Sequence, residues 1–333
     1  MDLSPGSRAV RSPSLRDVAA VAGVSYQTVS RVLNDSPHVQ DRTRARVLAA
    51  VADLAYTPDL AARALASGTR TTLGIVDLGR HRYGPSLIEE GLRRAASAAG
   101  VRSVVSSADG DSRPDLERAF REVVAERVHA LVVIGDGELA ARVAEEIAPG
   151  LPVVHTDALA TDAGSHAPAQ YVAAYDATHH LISLGHRRIG HISGPGSSTA
   201  AGQRRLGWAH ALRTAGLRAD AVVTGSWSEN TGYRAATTLL AHDDLTALFA
   251  ANDAMALGAL HAAARLGRHV PRDLSVVGFD DVPGARHHVP ALTTVRQDFA
   301  GIGAAAFAQT RSPAPTTHLP PPRLVLRDST GHA

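Results

Sequence analysis

The chain has 333 residues and a formal net charge of +2, so it is long enough for several apolar cores and is not a polycation. It contains no cysteine, which excludes disulfides, thiolate metal sites and a cysteine nucleophile. The first residues lack the apolar stretch of an export signal, and no window approaches the length of a membrane span. We therefore expect a cytoplasmic protein with no membrane contact.

Residues 14–34 have the pattern of two short helices joined by a tight turn. Ser14 followed by Asp17 is typical of a helix start, because the hydroxyl can cap free backbone amides and the carboxylate faces the positive helix end. Gly23 can adopt the positive φ that ends the first helix, and Ser25 can cap the second. The pattern predicts a helix-turn-helix.

The outward face of the second helix carries polar side chains near the end that enters the major groove in such motifs. Glutamine can pair bidentately with adenine, and arginine can pair with guanine or phosphate. The residues in this position are Ser25, Tyr26, Gln27, Ser30, Arg31 and Asn34. Any small helical domain also has a polar outer face, so the pattern alone leaves a plain helical hairpin open.

A third amphipathic helix, predicted over residues 41–56, favours DNA binding over a plain hairpin. Its first turns carry three arginines that we expect to contact phosphate, namely Arg42, Arg44 and Arg46.

This order of elements, with SYQTVSRV in the second helix and YTPDLAARALAS after the third, resembles the headpiece and hinge of the lactose repressor/galactose repressor (LacI/GalR) family. The resemblance implies a DNA-binding headpiece over residues 13–58 and a hinge helix over residues 59–68 that folds when two copies meet in the minor groove. Leu65 stands at the family's wedge position, where an inserted leucine partly unstacks a base step and kinks the duplex. Without the family, residues 59–67 read as an Ala-rich helical linker.

From residue 71 onward, short apolar strands alternate with Ala-rich helices, which predicts parallel sheets covered on both faces. The predicted strands are residues 73–78, 101–107, 130–135, 151–157, 187–194, 221–227, 247–253, 274–281 and 323–328. The predicted helices are residues 86–99, 114–126, 138–147, 204–215, 231–241, 253–266 and 299–310. The alternation restarts in the second half, so we expect an α/β core of two lobes with a crevice between them.

The family resemblance also covers this part of the chain and implies a periplasmic-binding-protein-like core of two parallel-sheet lobes over residues 71–328. It is carried by the segments GPGSS, RRLGWAHAL, ANDAMALGAL, LSVVGFDD and LTTVRQDF. Lobe 1 is expected over about 71–168 and 299–317, and lobe 2 over about 169–298 and 318–328.

Ligands of open parallel sheets bind at the carboxyl ends of the strands, and several residues near these ends suit a sugar. Sugar hydroxyls need bidentate polar partners, and the sugar ring needs an aromatic plate. The candidates are Asp157, Arg204, Trp227, Asn252, Asp280 and Gln297. Each also has a simpler interpretation, since Asp and Asn cap helices and Trp packs in cores. The resemblance implies sugar contacts for the five polar residues, stacking for Trp227, and apolar pocket walls for Ile88 and Phe299.

Other chemistry has weak support in the sequence. Residues 194–198, GPGSS, lack the lysine and the spacing of a phosphate-binding loop. The histidine pairs have no third metal ligand nearby. Asp280 and Asp281 are adjacent at a strand end, so their side chains diverge, and one ligand contact with one structural carboxylate is a better interpretation than an acid/base pair. We expect no enzyme activity, no metal and no cofactor.

The sequence thus predicts a sugar-responsive transcriptional repressor whose headpieces bind a palindromic operator as a homodimer. Two alternatives stay open. One is a relative whose ligand tightens DNA binding, and the other is a solute-binding transport protein, which would need an export signal and no headpiece. Residues 312–322 form a Pro-rich connection, and no heptad repeat follows the last predicted strand. A dimer is therefore expected rather than a tetramer.

The leading hypothesis for the effector is a galactoside or a closely related β-linked sugar, because the resemblance covers the sugar-contacting positions. Phosphate-bearing and purine ligands are expected to be disfavoured. Asp157, Asp253 and Asp280 would repel an anion, and only Arg204 would offset them.

Overall fold

A computed structural model describes residues 14–33, 39–54, 72–79, 82–108, 112–135, 137–159, 169–241, 244–312 and 319–333. The chain divides into two units, Met1–Arg70 and Thr71–Ala333, which hold the headpiece and the core respectively. Within the described residues, no helix combines the length and the apolar character that crossing a bilayer requires.

The described part of the headpiece contains three helices, α1 (Leu15–Ala22), α2 (Tyr26–Leu33) and α3 (Asp41–Asp53). They share a small apolar core, in which Val18, Val29 and Val47 are fully buried. Because each helix has one apolar face, packing these faces together leaves the polar faces to solvent.

The expected helix-turn-helix signals are confirmed at atomic level. Ser14 and Asp17 form a capping box, in which the Asp17 carboxylate accepts from the Ser14 amide at 2.7 Å. Gly23 ends α1 with a φ of 60°, a conformation that favours glycine. The hydroxyl oxygen of Ser25 accepts from the Thr28 amide at 3.1 Å and so caps α2.

In the core, the residues that the structure describes form ten short strands and the helices between them. The strands are β1 (Thr72–Asp77), β2 (Arg102–Ser107), β3 (Ala130–Ile134), β4 (Val153–His155), β5 (Ile189–Ser193), β6 (Val222–Thr224), β7 (Ala247–Ala250), β8 (Ser275–Val277), β9 (Thr294–Arg296) and β10 (Arg323–Val325). The helices are α4 (Tyr83–Ala98), α5 (Arg113–Ala125), α6 (Glu138–Ile147), α7 (Thr156–Leu159), α8 (Ala169–Ser183), α9 (Thr199–Thr214), α10 (Glu229–Leu240), α11 (Asp253–Arg265) and α12 (Phe299–Arg311), with a 3₁₀ turn at Ala285–His287. Strand β9 and helices α7 and α8 were not predicted.

Strands β1 to β8 form two parallel sheets of the same topology, one in each lobe. Their orders are β2-β1-β3-β4 in lobe 1 and β6-β5-β7-β8 in lobe 2. The central strands are buried on both faces, which explains why they read as continuous apolar runs. In each sheet the second strand in sequence lies on one side of the first strand, and the third strand lies on its other side. Such a reversal of strand order opens a crevice at the carboxyl ends of the strands.

The last part of the chain contributes to both lobes. Helix α12 packs on lobe 1, where Phe299 and Ile302 join the core around Leu73. Strands β9 and β10 pair antiparallel and pack on lobe 2. Residues 329–333 also lie on lobe 2, beyond the expected end of the core at 328, and the Ser329 hydroxyl donates to the Val276 carbonyl at 2.6 Å.

Three pairs of neighbouring helices pack so closely that only glycine fits at the points where they cross, because a Cβ atom there would clash with the backbone of the other helix. A Cβ atom on Gly303 of α12 would come within 2.1 Å of the Ile88 carbonyl oxygen of α4. Equivalent contacts join α8 to α9 and α10 to α11. The glycines at the three crossings are Gly91, Gly207, Gly232, Gly258 and Gly303.

Candidate functional site

The outward face of α2 presents most of the predicted base-reading residues. Ser25, Gln27 and Arg31 are exposed, Tyr26 is 51% exposed and Ser30 is half-buried. The opposite face of the helix is buried in the headpiece core. The predicted DNA contacts Asn34 and Leu65, and the hinge helix over 59–68, lie outside the described residues.

Arg46 has a role that the sequence interpretation did not include. Its guanidinium donates to the backbone carbonyls of Ala22 at 2.5 Å and Gly23 at 3.2 Å, and so binds carbonyls at the end of α1. These hydrogen bonds support the turn before α2, and the phosphate contact of Arg46 stays a prediction.

A cavity of about 550 Å³ lies between the two lobes of the core, at the carboxyl ends of their strands. All the residues predicted to bind the ligand line this cavity: Ile88, Asp157, Arg204, Trp227, Asn252, Asp280, Gln297 and Phe299. Its size falls within the usual range for small-molecule sites.

Arg204 is held rigidly at the floor of the cavity. It is only 6% exposed, and its guanidinium carbon lies 3.8 Å from the centroid of the Phe279 ring. Its Nε donates to the Gln170 side chain at 2.8 Å, and Nη1 donates to the carbonyl of Ala251. Stacking and charge-assisted hydrogen bonds fix the planar guanidinium in one orientation, so it can present a donor to a ligand without being ordered by it.

The neighbouring carboxylates Asp280 and Asp281 diverge, as expected from their position at a strand end. Asp281 binds Arg296 and Arg327, each at 2.5 Å. Burial opposes its ionisation, but the two arginines outweigh that effect and hold the pKa of Asp281 below its usual value. Asp280 instead lines the cavity and accepts from Gln297 at 3.0 Å. Burial raises the pKa of Asp280 to about 6, although the charge of Arg204 opposes the rise.

Asp253 is structural rather than a free carboxylate of the cavity. It is 1% exposed, and it accepts from the Thr294 hydroxyl at 2.5 Å and from the Val282 amide at 2.8 Å. Burial, helped by the charge of Asp280, raises the pKa of Asp253 to about 8. Asp253 therefore does not add a full negative charge at neutral pH. Because Arg82 also lines the cavity, the expected repulsion of anionic ligands is weaker than the sequence interpretation assumed.

Trp227 and Asn252 follow β6 and β7 of lobe 2, the two strands on either side of β5. Trp227 has a φ of 70°, and its ring packs directly on Gly194, where a Cβ atom would lie 2.4 Å from the indole. The side-chain oxygen of Asn252 accepts from the Met255 amide at 2.9 Å and caps α11. Asn252 thus has the helix-capping role that was its simpler interpretation, while its side chain also lines the cavity.

Lobe 1 supplies the apolar wall opposite these polar groups. Ile88 and Phe299 are each 8% exposed, and the ring of Tyr83 meets Phe299 edge-on at a centroid distance of 5.9 Å. Tyr83, Gln170 and His288 also line the cavity and were missed from the sequence. No strand end or motif distinguishes them, because each reaches the cavity through the tertiary fold. Within the described ranges, no three His, Asp or Glu side chains converge as a metal ion would require.

Comparison with known proteins agrees with this architecture. Residues 14–59 match the model of bacterial regulatory proteins of the lacI family, and residues 178–330 match a periplasmic binding protein-like domain. The lactose operon repressor of Escherichia coli K12 is 34% identical over 309 residues, covering 87% of this chain and 81% of the relative. The regulator GalR of the same strain is 33% identical over 331 residues, covering 95% of each chain.

Solved structures give the same result. The Lac repressor dimer bound to operator and the anti-inducer ONPF has a TM-score of 0.83 at 31% identity, covering 96% of this chain and 100% of that chain. A complex of the transcriptional regulator CelR with cellobiose has a TM-score of 0.67 at 28% identity, covering 95% and 99%. These relatives are transcriptional regulators rather than enzymes. The helix-turn-helix headpiece, the two-lobed core and the extended similarity together show that the chain belongs to the lacI family of DNA-binding transcriptional regulators.

Proposed function

We propose that the protein is a transcriptional repressor that binds a palindromic operator as a homodimer and is released by a small sugar. The operator contacts are assigned to the outward face of α2, with Tyr26 and Gln27 reading bases and Arg31 contacting guanine or phosphate. A dimer of headpieces reads two half-sites, which is why a palindrome is proposed.

One observation carries the sugar assignment: every residue expected to contact a sugar lines a single cavity. Arg204 supplies a fixed donor, Asp280 supplies an acceptor, and Trp227 supplies an indole. This set matches a pyranose, whose hydroxyls both donate and accept while its C–H face packs on an aromatic ring. The carboxylate of Asp157 lies at the lobe 1 side and extends the polar lining to both lobes.

The proposed effector is a galactoside or a related β-linked sugar. The CelR–cellobiose structure supports a β-linked sugar, because its cellobiose is carried on the same fold. Electrostatics alone does not decide it. Arg82 beside the cavity and the raised pKa of Asp253 leave room for a ligand with one negative charge, so the panel of test ligands must include anions.

Linkage requires that the coupling between sugar and operator be reciprocal. A sugar that binds one arrangement of the lobes more tightly must change operator affinity by the same factor by which operator changes sugar affinity. We propose release, as in a repressor that is induced. A relative whose ligand tightens DNA binding would share every contact described above and would differ only in which arrangement the ligand prefers.

The test begins with selection of the operator from random DNA by the full chain. Operator affinity is then measured by fluorescence anisotropy with lactose, other galactosides, cellobiose, a sugar phosphate and a nucleobase. Weaker operator binding with a neutral sugar supports the proposal. Tighter binding assigns the corepressor mode. A response to the nucleobase or sugar phosphate alone contradicts the sugar assignment.

A further inference from the structure

Four polar side chains at the floor of the cavity form a ring that is held by three hydrogen bonds and closed by one ion pair. Arg204 Nε donates to Gln170 Oε1 at 2.8 Å, and Gln170 Nε2 donates to Gln297 Oε1 at 2.5 Å. Gln297 Nε2 then donates to Asp280 Oδ1 at 3.0 Å, and this oxygen lies 3.7 Å from Arg204 Nη2. We call these four residues the amide ring.

The two charged members determine the orientation of both amides. Arginine can only donate, so Gln170 must turn its carbonyl oxygen toward Arg204 and its NH₂ group toward Gln297. An ionised carboxylate can only accept, so Gln297 must turn its NH₂ group toward Asp280. All the hydrogen bonds therefore run in one direction around the ring, from the guanidinium to the carboxylate.

The two glutamines lie where the chain passes between the lobes. Gln170 is the second residue of α8, the first helix of lobe 2 after the chain leaves lobe 1 at α7. Gln297 lies between β9 of lobe 2 and α12, which packs on lobe 1. The contact between their side chains thus joins two crossings that are 127 residues apart in sequence.

We propose that Gln170 is a positioning residue that couples effector binding to the arrangement of the two lobes. This inference rests on the proposed function. Gln170 is 4% exposed, so its amide holds the Arg204 guanidinium without solvent competition and ties it to both crossings. A ligand that hydrogen-bonds Arg204 or Asp280 displaces members of the amide ring. Gln170 and Gln297 pass this displacement to the two places where the chain crosses between the lobes.

Two substitutions at Gln170 distinguish loss of the whole side-chain amide from loss of its NH₂ donor alone. Gln170→Ala opens the ring and frees both crossings. In Gln170→Glu, the carboxylate still accepts from Arg204 but faces the Gln297 oxygen with a second acceptor, and its charge disfavours ionisation of Asp280. Sugar binding by this variant should therefore shift to higher pH as well as weaken. Gln203→Ala is the matched control, because Gln203 is an amide on α9 one residue before Arg204 and outside the ring.

A first experiment measures lobe movement without any sugar. The chain has no cysteine, so spin labels can be placed by Glu138→Cys on lobe 1 and Arg213→Cys on lobe 2, both exposed positions. Labelled protein is diluted with unlabelled protein so that distances within one chain dominate. Gln170→Ala should broaden the interlobe distance distribution, whereas Gln203→Ala should leave it unchanged. A wild-type distribution in Gln170→Ala overturns the inference.

A second experiment measures coupling in the full chain. For the sugar that releases the wild type from operator, Gln170→Ala should lower affinity about tenfold, since a buried charged donor loses the partner that orients it. Gln203→Ala should leave both sugar affinity and release from operator unchanged. Unchanged sugar affinity and unchanged release overturn the inference while the proposed function stands. A wild type that binds no sugar overturns the proposed function, and the spin-label distances still judge the ring.

Discussion

The side-chain amide of Asn252 donates to the backbone carbonyl of Trp227 at 3.0 Å, while its oxygen caps α11. One side chain therefore fixes both the start of a core helix and the backbone that carries the proposed stacking ring. Trp227 has a positive φ, an uncommon conformation for a residue other than glycine, so this support from Asn252 helps to maintain the position of the indole.

Asn252 variants should separate these two roles. Asn252→Asp keeps the cap but places a carboxylate against the Trp227 carbonyl, so unfolding free energy should fall little while sugar affinity falls. Asn252→Ala should lose both, including about 1 kcal/mol for the cap. Urea unfolding and calorimetry measure the two effects. Equal sugar affinity in wild type and Asn252→Asp would show that the contact does not position Trp227.

Trp227→Ala should remove the stacking plate and raise the sugar concentration needed for release. The loss is expected to be about 0.5–1.5 kcal/mol beyond the buried area, if the sugar–indole contact resembles an aromatic pair. The chain has two tryptophans, and the other, Trp208, is buried in lobe 2. Trp208→Phe is the control and leaves Trp227 as the only indole, so its fluorescence should respond to the sugar. No fluorescence change at saturating sugar would argue against stacking.

Exchange of Tyr26 and Gln27 for other side chains should redirect the preferred half-site, at about 1–3 kcal/mol for each misread base pair. Leu65→Ala should instead weaken specific binding with little change in the preferred sequence, because a wedge residue contributes to bending. Selection from random DNA provides the measurement for both variants. An unchanged consensus for the Tyr26/Gln27 variant would contradict the assignment of α2 as the base-reading helix.

His191 should make lobe 2 sensitive to acid. Its ring is fully buried between Trp208 and Phe249, at centroid distances of 5.3 and 4.9 Å, and its Nδ1 bonds the Phe249 carbonyl at 2.8 Å. Burial lowers the pKa of His191 to about 4 from 6.5. Between these two pKa values, His191 is protonated in the unfolded chain and neutral in the folded chain. The free energy of unfolding therefore falls as pH drops from about 6.5 to about 4.

The variant His191→Phe keeps an aromatic ring in the stack and removes this titration. Between pH 7 and pH 5 the wild type should lose about 2 kcal/mol more unfolding free energy than the variant, as the two pKa values require. Urea unfolding at the two pH values tests this. Parallel losses in wild type and variant would mean that other groups cause the acid sensitivity.

The protein should be a dimer in solution at micromolar concentration. A palindromic operator presents two half-sites and so requires two headpieces, and the similar Lac repressor structure is a dimer bound to operator. Light scattering in low and high salt provides the measurement. A tetramer that persists at both salt concentrations would contradict the expectation.

The sequence predicted most of the elements because their signals are local. The central strands are apolar runs, and Ser14, Gly23 and Ser25 specify the headpiece turn through their own backbone chemistry. Strand β9 has only three residues and exists because β10 pairs with it, so no local pattern indicates it. Helix α8 buries one face, but that face is mostly alanine with Gln170 and Thr178, while Val172 is exposed, so hydrophobicity does not follow the helical period.

The site was predicted where residues follow strands and missed where the tertiary fold brings them in. Gln170 lies at the start of the unpredicted helix α8, and its partners Arg204 and Gln297 are distant in sequence. The sequence predicts a negative charge on Asp253, whereas its raised pKa depends on burial and on the nearby charge of Asp280, which only the fold brings about. Composition reveals which groups are available but not the dielectric around them.

The glycine crossings have a mechanical consequence for the regulator. Where Gly303 meets Ile88 and Gly207 meets Tyr171, backbone touches backbone, and no layer of side chains can change rotamer to absorb a shear. Each helix pair therefore moves as one rigid body. A displacement imposed by a ligand at one end of the pair is passed along it and is not absorbed by side-chain repacking inside the lobe. Substitutions in the loops that line the cavity can accordingly change the ligand without making these helix pairs more flexible.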